Sequence, residues 1–122
     1  MASAKPPDPP GRDQDRAAWE RRIVCAQING RRVNEAIERG RLPHHDDATF
    51  MCECGRLGCT AKLHLQLADY ERVRSGFDRF LLAPGHEVAG IDTVVQREDG
   101  YVVAQKRGDE PAELALRTDP RA

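Results

Sequence analysis

Three cysteines fall within eight residues, in the segment Cys52-Glu53-Cys54-Gly55-Arg56-Leu57-Gly58-Cys59. No other feature restricts the fold of this chain as much. Thiols this close on a tight turn can meet around one metal ion at little cost in chain entropy. Zinc asks for four soft or borderline ligands in a tetrahedron, about 2.3 Å from each sulfur. Gly55 and Gly58 can take positive φ, which lets the backbone fold round an ion. The spacing is C-x-C followed by x4-C rather than paired C-x2-C knuckles, so the pattern points to metal without naming a known knuckle.

The rest of the composition makes a staple useful. The chain has 122 residues, which suits one domain, with 39% hydrophobic, 5% aromatic and 32% charged residues. So thin a core is commonly reinforced by a metal or a disulfide. No apolar run approaches the roughly 20 residues a membrane helix needs. The segment from Met1 to Gly11 is Pro-rich and polar, with no apolar stretch of a secretory signal. The sequence therefore reads as cytoplasmic, where thiols stay reduced and clustered cysteines point to metal or redox chemistry. Net charge is −1, with 20 acidic against 19 basic residues. That balance does not suggest a general phosphate binder.

Periodicity places the elements around the cluster. Residues 1–11 read as a disordered tail. Residues 13–39 read as a long helix whose stripe is Trp19, Ile23, Ala26, Gly30, Val33 and Ile37, with Arg21, Arg32 and Arg39 opposite. Gly30 within that stripe predicts a kink or a close contact, and Gly40 a helix stop. Cys25, near the stripe's edge, reads as a small buried hydrophobe. Phe50-Met51-Cys52 and Thr60–Leu65 read as strands flanking the cysteine-rich turn. Leu67–Ser75 reads as a second helix with Tyr70 and Val73 inward. Arg79–Ala83 reads as a strand ending in a Pro84-Gly85 turn. Ile91–Arg97 and Tyr101–Arg107 read as a hairpin across Asp99-Gly100. Residues 108–122 read as a flexible C-terminal tail. The expectation is a single zinc-stapled α+β domain over residues 12–107, with a small, mostly antiparallel sheet.

A closed site needs a fourth ligand. His86 follows the Pro84-Gly85 turn, where its side chain can be aimed at the cluster. His64 lies nearest in sequence, five residues after Cys59, and His44 and His45 sit in a neighbouring loop.

The residues that surround these positions carry a resemblance. Val33-Asn34-Glu35-Ala36-Ile37, Phe50-Met51-Cys52-Glu53-Cys54-Gly55 with Cys59, Tyr70-Glu71-Arg72-Val73-Arg74 and Pro84-Gly85-His86-Glu87 make the chain similar, over residues 20–107, to a group of small uncharacterised actinobacterial proteins. The Arg bias, 16 Arg against 3 Lys, fits such a GC-rich source. The resemblance implies that Cys52, Cys54, Cys59 and His86 form one motif set. It implies a site and not an activity.

Three functional readings follow. The first is a non-catalytic module with one structural zinc per chain on Cys52, Cys54, Cys59 and His86, in a regulatory or protein-interaction role. Its partner would be another protein. The Arg21, Arg32 and Arg39 face offers a weaker case for nucleic acid, since acidic residues interleave with it. The second is a redox-sensitive zinc-thiolate switch, with Cys54 and Cys59 as the pair able to close a disulfide. The third is a metal-dependent hydrolase with Glu53 or Glu87 as general base, which would need an open coordination position.

Overall fold

The computed structural model describes residues 8–11, 13–40 and 46–121, with the side chains of 13 and 14 excepted. The expected tail over residues 1–11 falls mostly outside them, as do His44 and His45. The fold is α+β. Helix α1 spans Asp13–Arg39, strand β1 Asp47–Met51, β2 Lys62–Gln66, helix α2 Leu67–Arg74, β3 Arg79–Leu82, β4 Asp92–Glu98, β5 Tyr101–Lys106 and helix α3 Asp109–Arg117. Strands β1 and β2 pair antiparallel as a ribbon, and β3, β5 and β4 form a second antiparallel sheet with β5 in the middle.

Local chemistry accounts for most of these elements. β2 alternates as expected, with Leu63 and Leu65 buried and Lys62, His64 and Gln66 exposed. The β4–β5 hairpin closes at the Glu98↔Tyr101 pair across Asp99-Gly100, with Gly100 at φ +90°. The core lies between α1, α3 and the outer part of the second sheet on one side (Trp19, Ile23, Val24, Ile28, Phe80, Val88, Ile91 and Ala115). On the other side the ribbon and α2 close over β3 and β5 through Phe50, Leu63, Tyr70, Val73, Leu81 and Val103. Phe50 and Tyr70 stack at 4.3 Å.

Three expectations are corrected. The buried line on α1 runs through Trp19, Ile23, Gln27, Arg31, Asn34 and Glu38. Beyond Ile23 this is one residue away from the apolar stripe, or about 100° round the helix; Val33 is left 43% exposed. The helix buries polar side chains because they have partners to meet, described below. Cys25 is exposed, since the buried face passes through Val24 and Ile28 instead. Residues 109–117, expected within a flexible tail, form α3, with Pro111 and Ala115 buried. Pro111 is compatible with a helix because it stands in the first turn, where the missing N–H has no intrahelical acceptor. Arg31 donates to Ala115 O at 2.9 Å and to Phe77 O at 2.8 Å, which ties α3 and the α2–β3 turn to α1.

Candidate metal centre

The cysteine loop is held from three sides. From α1, Asn34 donates to Met51 O at 2.7 Å and accepts from Met51 N at 2.8 Å, copying the pairing a strand would give. Gln27 donates to Cys54 O at 3.2 Å and to Asp92 at 3.0 Å. Glycine is required at residue 55 twice over. Its φ is +72°, and a Cβ there would sit 2.8 Å from Gln27 Cγ and 2.9 Å from Ile23 O. Gly30 is the other close approach: a Cβ would lie 3.3 Å from Glu53 Cα, so the glycine admits the loop against an unbroken helix.

From the second sheet, the loop occupies the free edge of β3. Glu53 N donates to Leu81 O at 2.7 Å, Leu81 N donates to Glu53 Oε1 at 2.9 Å, and Ala83 N donates to Cys52 Sγ at 3.1 Å. Edge groups that would otherwise invite another strand are thus paired within the chain. The third side is the ribbon, where Cys52 N donates to Ala61 O at 3.1 Å.

His86 arrives on a turn. Ala83-Pro84-Gly85-His86 is closed by His86 N donating to Ala83 O at 3.0 Å, with Gly85 at φ +82°. Proline at the second position and a positive-φ glycine at the third are what a type II turn demands. This turn brings the imidazole, 8% exposed, to the thiols. His86 Nδ1 lies 3.6 Å from Cys52 Sγ and 3.5 Å from Cys59 Sγ. The ligand atoms of Cys52, Cys54, Cys59 and His86 all lie within 4.8 Å of one another. A tetrahedron with metal–sulfur bonds of about 2.3 Å and metal–nitrogen bonds of about 2.1 Å has a sulfur–nitrogen edge of about 3.6 Å. The two distances above have that length, and the four side chains together could hold a metal ion.

Electrostatics around the thiols favour a cation. The hydrogen bond with Cys52 holds Cys54 down to about 5, and the Arg56 N–H, 3.4 Å from Cys54 Sγ, adds to it. The same contact with Cys54, together with burial, pushes Cys52 up, and burial pushes Cys59 up. The cluster therefore sets one thiol drawn toward its thiolate beside two held toward the protonated form, around one imidazole nitrogen. A cation entering that space displaces the remaining thiol protons, as metals do at coordinating thiols.

Other candidates stand elsewhere. His64 points outward and pairs with Asp47 at 2.8 Å and Thr49 at 3.3 Å. Glu53 is fully buried, and its carboxylate accepts from Asn34 at 2.8 Å, Tyr70 at 2.9 Å and Leu81 N. Burial pushes its carboxyl up, while those donors pull it back. With its oxygens committed to the core, it is a structural hub and not a base facing the cluster. Arg21, Arg32 and Arg39 are exposed as expected, and Arg21 pairs with Glu110 of α3 at 3.0 Å.

The residues that sequence reasoning missed are Gln27, Asn34 and Arg56, which hold the segments bearing the candidate ligands. The continuation of Trp19 and Ile23 at four-residue spacing onto Gln27 and Arg31 was the available signal. No helix among the described residues is long and apolar enough to cross a membrane. Comparison with family models, with curated proteins and with solved structures finds no match.

Proposed function

We propose that this chain is a small zinc-binding module, with one Zn2+ held by the sulfurs of Cys52, Cys54 and Cys59 and by Nδ1 of His86. The observation that carries the reading is the pair of sulfur–nitrogen separations, 3.6 and 3.5 Å, at the tetrahedral edge length. Three thiolates and an imidazole fill zinc's coordination sphere, so the ion would contribute folding energy and not an activated water. It would join the cysteine loop to the turn after β3.

The role we assign is regulatory contact with another protein. A closed site offers substrate no coordination position. At the tip of the cysteine loop, Leu57 is 98% exposed, and a partner that covered it would remove its apolar surface from water.

Elemental mass spectrometry of the purified protein tests the metal reading, beside Cys52→Ser and His86→Ala variants. The expected result is about one zinc per wild-type chain, lost in Cys52→Ser and weakened in His86→Ala, with chelation of the wild type abolishing its cooperative melt. A wild type that folds cooperatively without metal, and takes up no added zinc, overturns the reading.

A further inference from the structure

The turn that carries His86 is closed by its own hydrogen bond from His86 N to Ala83 O, but its tip lies in open space. Gly85 stands at φ +82°, and a Cβ there would meet nothing within 4 Å. Pro84 and Gly85 are both exposed. A glycine peptide in open space has more than one orientation available, yet a metal ligand must be held to a few tenths of an ångström. What crosses to this turn is Arg56, from the cysteine loop. Its Nη2 donates to Gly85 O at 2.9 Å and to Glu87 O at 3.4 Å, the carbonyls on either side of His86.

The same residue holds the cysteine loop through its backbone. Arg56 N donates to Cys54 Sγ at 3.4 Å, and Arg56 O accepts from Cys59 N at 3.2 Å. Gly58 at φ +79° completes that second turn. Arg56 therefore touches the segments that bear three of the four ligands, Cys54, Cys59 and His86. Its side chain bridges the two halves of the site, beside the contacts that the cysteines and His86 make themselves.

We propose that Arg56 is the positioning residue of the metal centre: by clamping the carbonyls that flank His86, it holds Nδ1 at bonding distance from an ion already gripped by the thiolates. The charge balance agrees. A divalent ion with three thiolates and a neutral imidazole carries a net charge of −1, and a guanidinium beside it offsets that charge. This inference rests on the zinc reading above and extends it to the support that makes His86 a ligand. Outer groups that orient metal-bound histidines are worth about 10- to 100-fold in affinity, and that is the size of effect expected here.

The test is competition of the full chain against a chromophoric chelator, with zinc and with Co2+ as a spectroscopic stand-in. Arg56→Met is expected to bind zinc about 10- to 100-fold more weakly than the wild type. Its Co2+ spectrum should move toward that of His86→Ala. In the His86→Ala background, Arg56→Met should have no further effect, because nothing remains to position. Gly85→Ala, which strains the same turn from the other side, should weaken binding while leaving the cysteine loop intact.

If Arg56→Met binds zinc within about twofold of the wild type, well short of the expected loss, the positioning role is overturned and the zinc site stands. A full further loss on adding Arg56→Met to His86→Ala also overturns it, since the arginine would then act independently of the histidine. A wild type that binds neither zinc nor Co2+ overturns the site itself. Circular dichroism of the zinc-saturated variants separates a weakened site from an unfolded chain.

Discussion

Replacing Glu53 with alanine tests whether the middle of the cysteine loop is a core anchor. The side chain is 0% exposed and accepts from Asn34 Nδ2 at 2.8 Å, Tyr70 Oη at 2.9 Å and Leu81 N at 2.9 Å. Truncation leaves three buried donors short of an acceptor, each worth about 1–3 kcal/mol, and opens a cavity besides. These losses are not additive, because Asn34 keeps its bonds to Met51. The expected destabilisation is on the order of 3–5 kcal/mol, the range seen when one partner of a buried charged contact is removed. Domains of this size are held by about 5–15 kcal/mol, so the variant should be marginal. Tyr70→Phe removes only one donor and should cost about 1 kcal/mol. Urea unfolding by far-UV circular dichroism, with zinc in excess throughout, reads the fold separately from the metal. Glu98→Ala, at an exposed position on the hairpin, is the control and should stay within about 0.5 kcal/mol. If Glu53→Ala lies within about 1 kcal/mol of the wild type, the carboxylate is not the hub described here.

Three further outcomes can be checked directly. Gly55→Ala places a Cβ 2.8 Å from Gln27 Cγ and 2.9 Å from Ile23 O at φ +72°; it should lower stability by about 2 kcal/mol or more and weaken zinc binding in the chelator assay. His64→Ala should leave zinc content unchanged, because that ring pairs with Asp47 on the outer face. Glu38 is pushed up to about 7 by burial and by Glu71, with Glu35 adding to it and Arg121 of the C-terminal segment opposing. A carboxyl raised in the folded state binds more protons than in the unfolded chain between its ordinary value and about 7, so its contribution to stability falls as pH rises through that window. Thermal melts of Glu38→Gln should therefore gain on the wild type between pH 5 and pH 8, by on the order of 1 kcal/mol after solvent screening; an unchanged difference across that range would contradict the assignment.

The clustering of Cys52, Cys54, Cys59 and His86 was legible because its chemistry is written in residue identity. Cysteine clustering, two turn glycines and a Pro-Gly before His86 each have a physical meaning that survives without coordinates. The α+β framework was legible from the same kind of local signal: alternation in β2, Asp99-Gly100 in the hairpin, Gly40 after α1. The C-terminal helix was not, because Pro111 and Pro120 look like breakers when counted and not when placed. Pro111 stands in a first turn. What secures the segment beyond α3 is remote in sequence: Arg74 of α2 pairs with Asp119, and Arg121 reaches Glu35, Glu38 and Glu71.

The misplaced stripe on α1 shows where periodicity runs out. An apolar pattern finds the face of a helix that meets an apolar surface. Past Ile23, α1 meets a loop and an edge strand, whose backbone groups need hydrogen-bond partners and not methyl groups. Gln27 and Asn34 supply those bonds to Cys54 and Met51, and Gly30 lets the backbone of Glu53 approach. Gln27, Gly30 and Asn34, set at one-turn intervals along the helix, are therefore the counterpart of the cysteine loop. A cysteine cluster on irregular backbone needs a regular element to carry its unpaired amides and carbonyls, and here α1 supplies part of it through Gln27 and Asn34. Neither side chain belongs to the cluster, so no ligand motif could have announced them; the loop they support could.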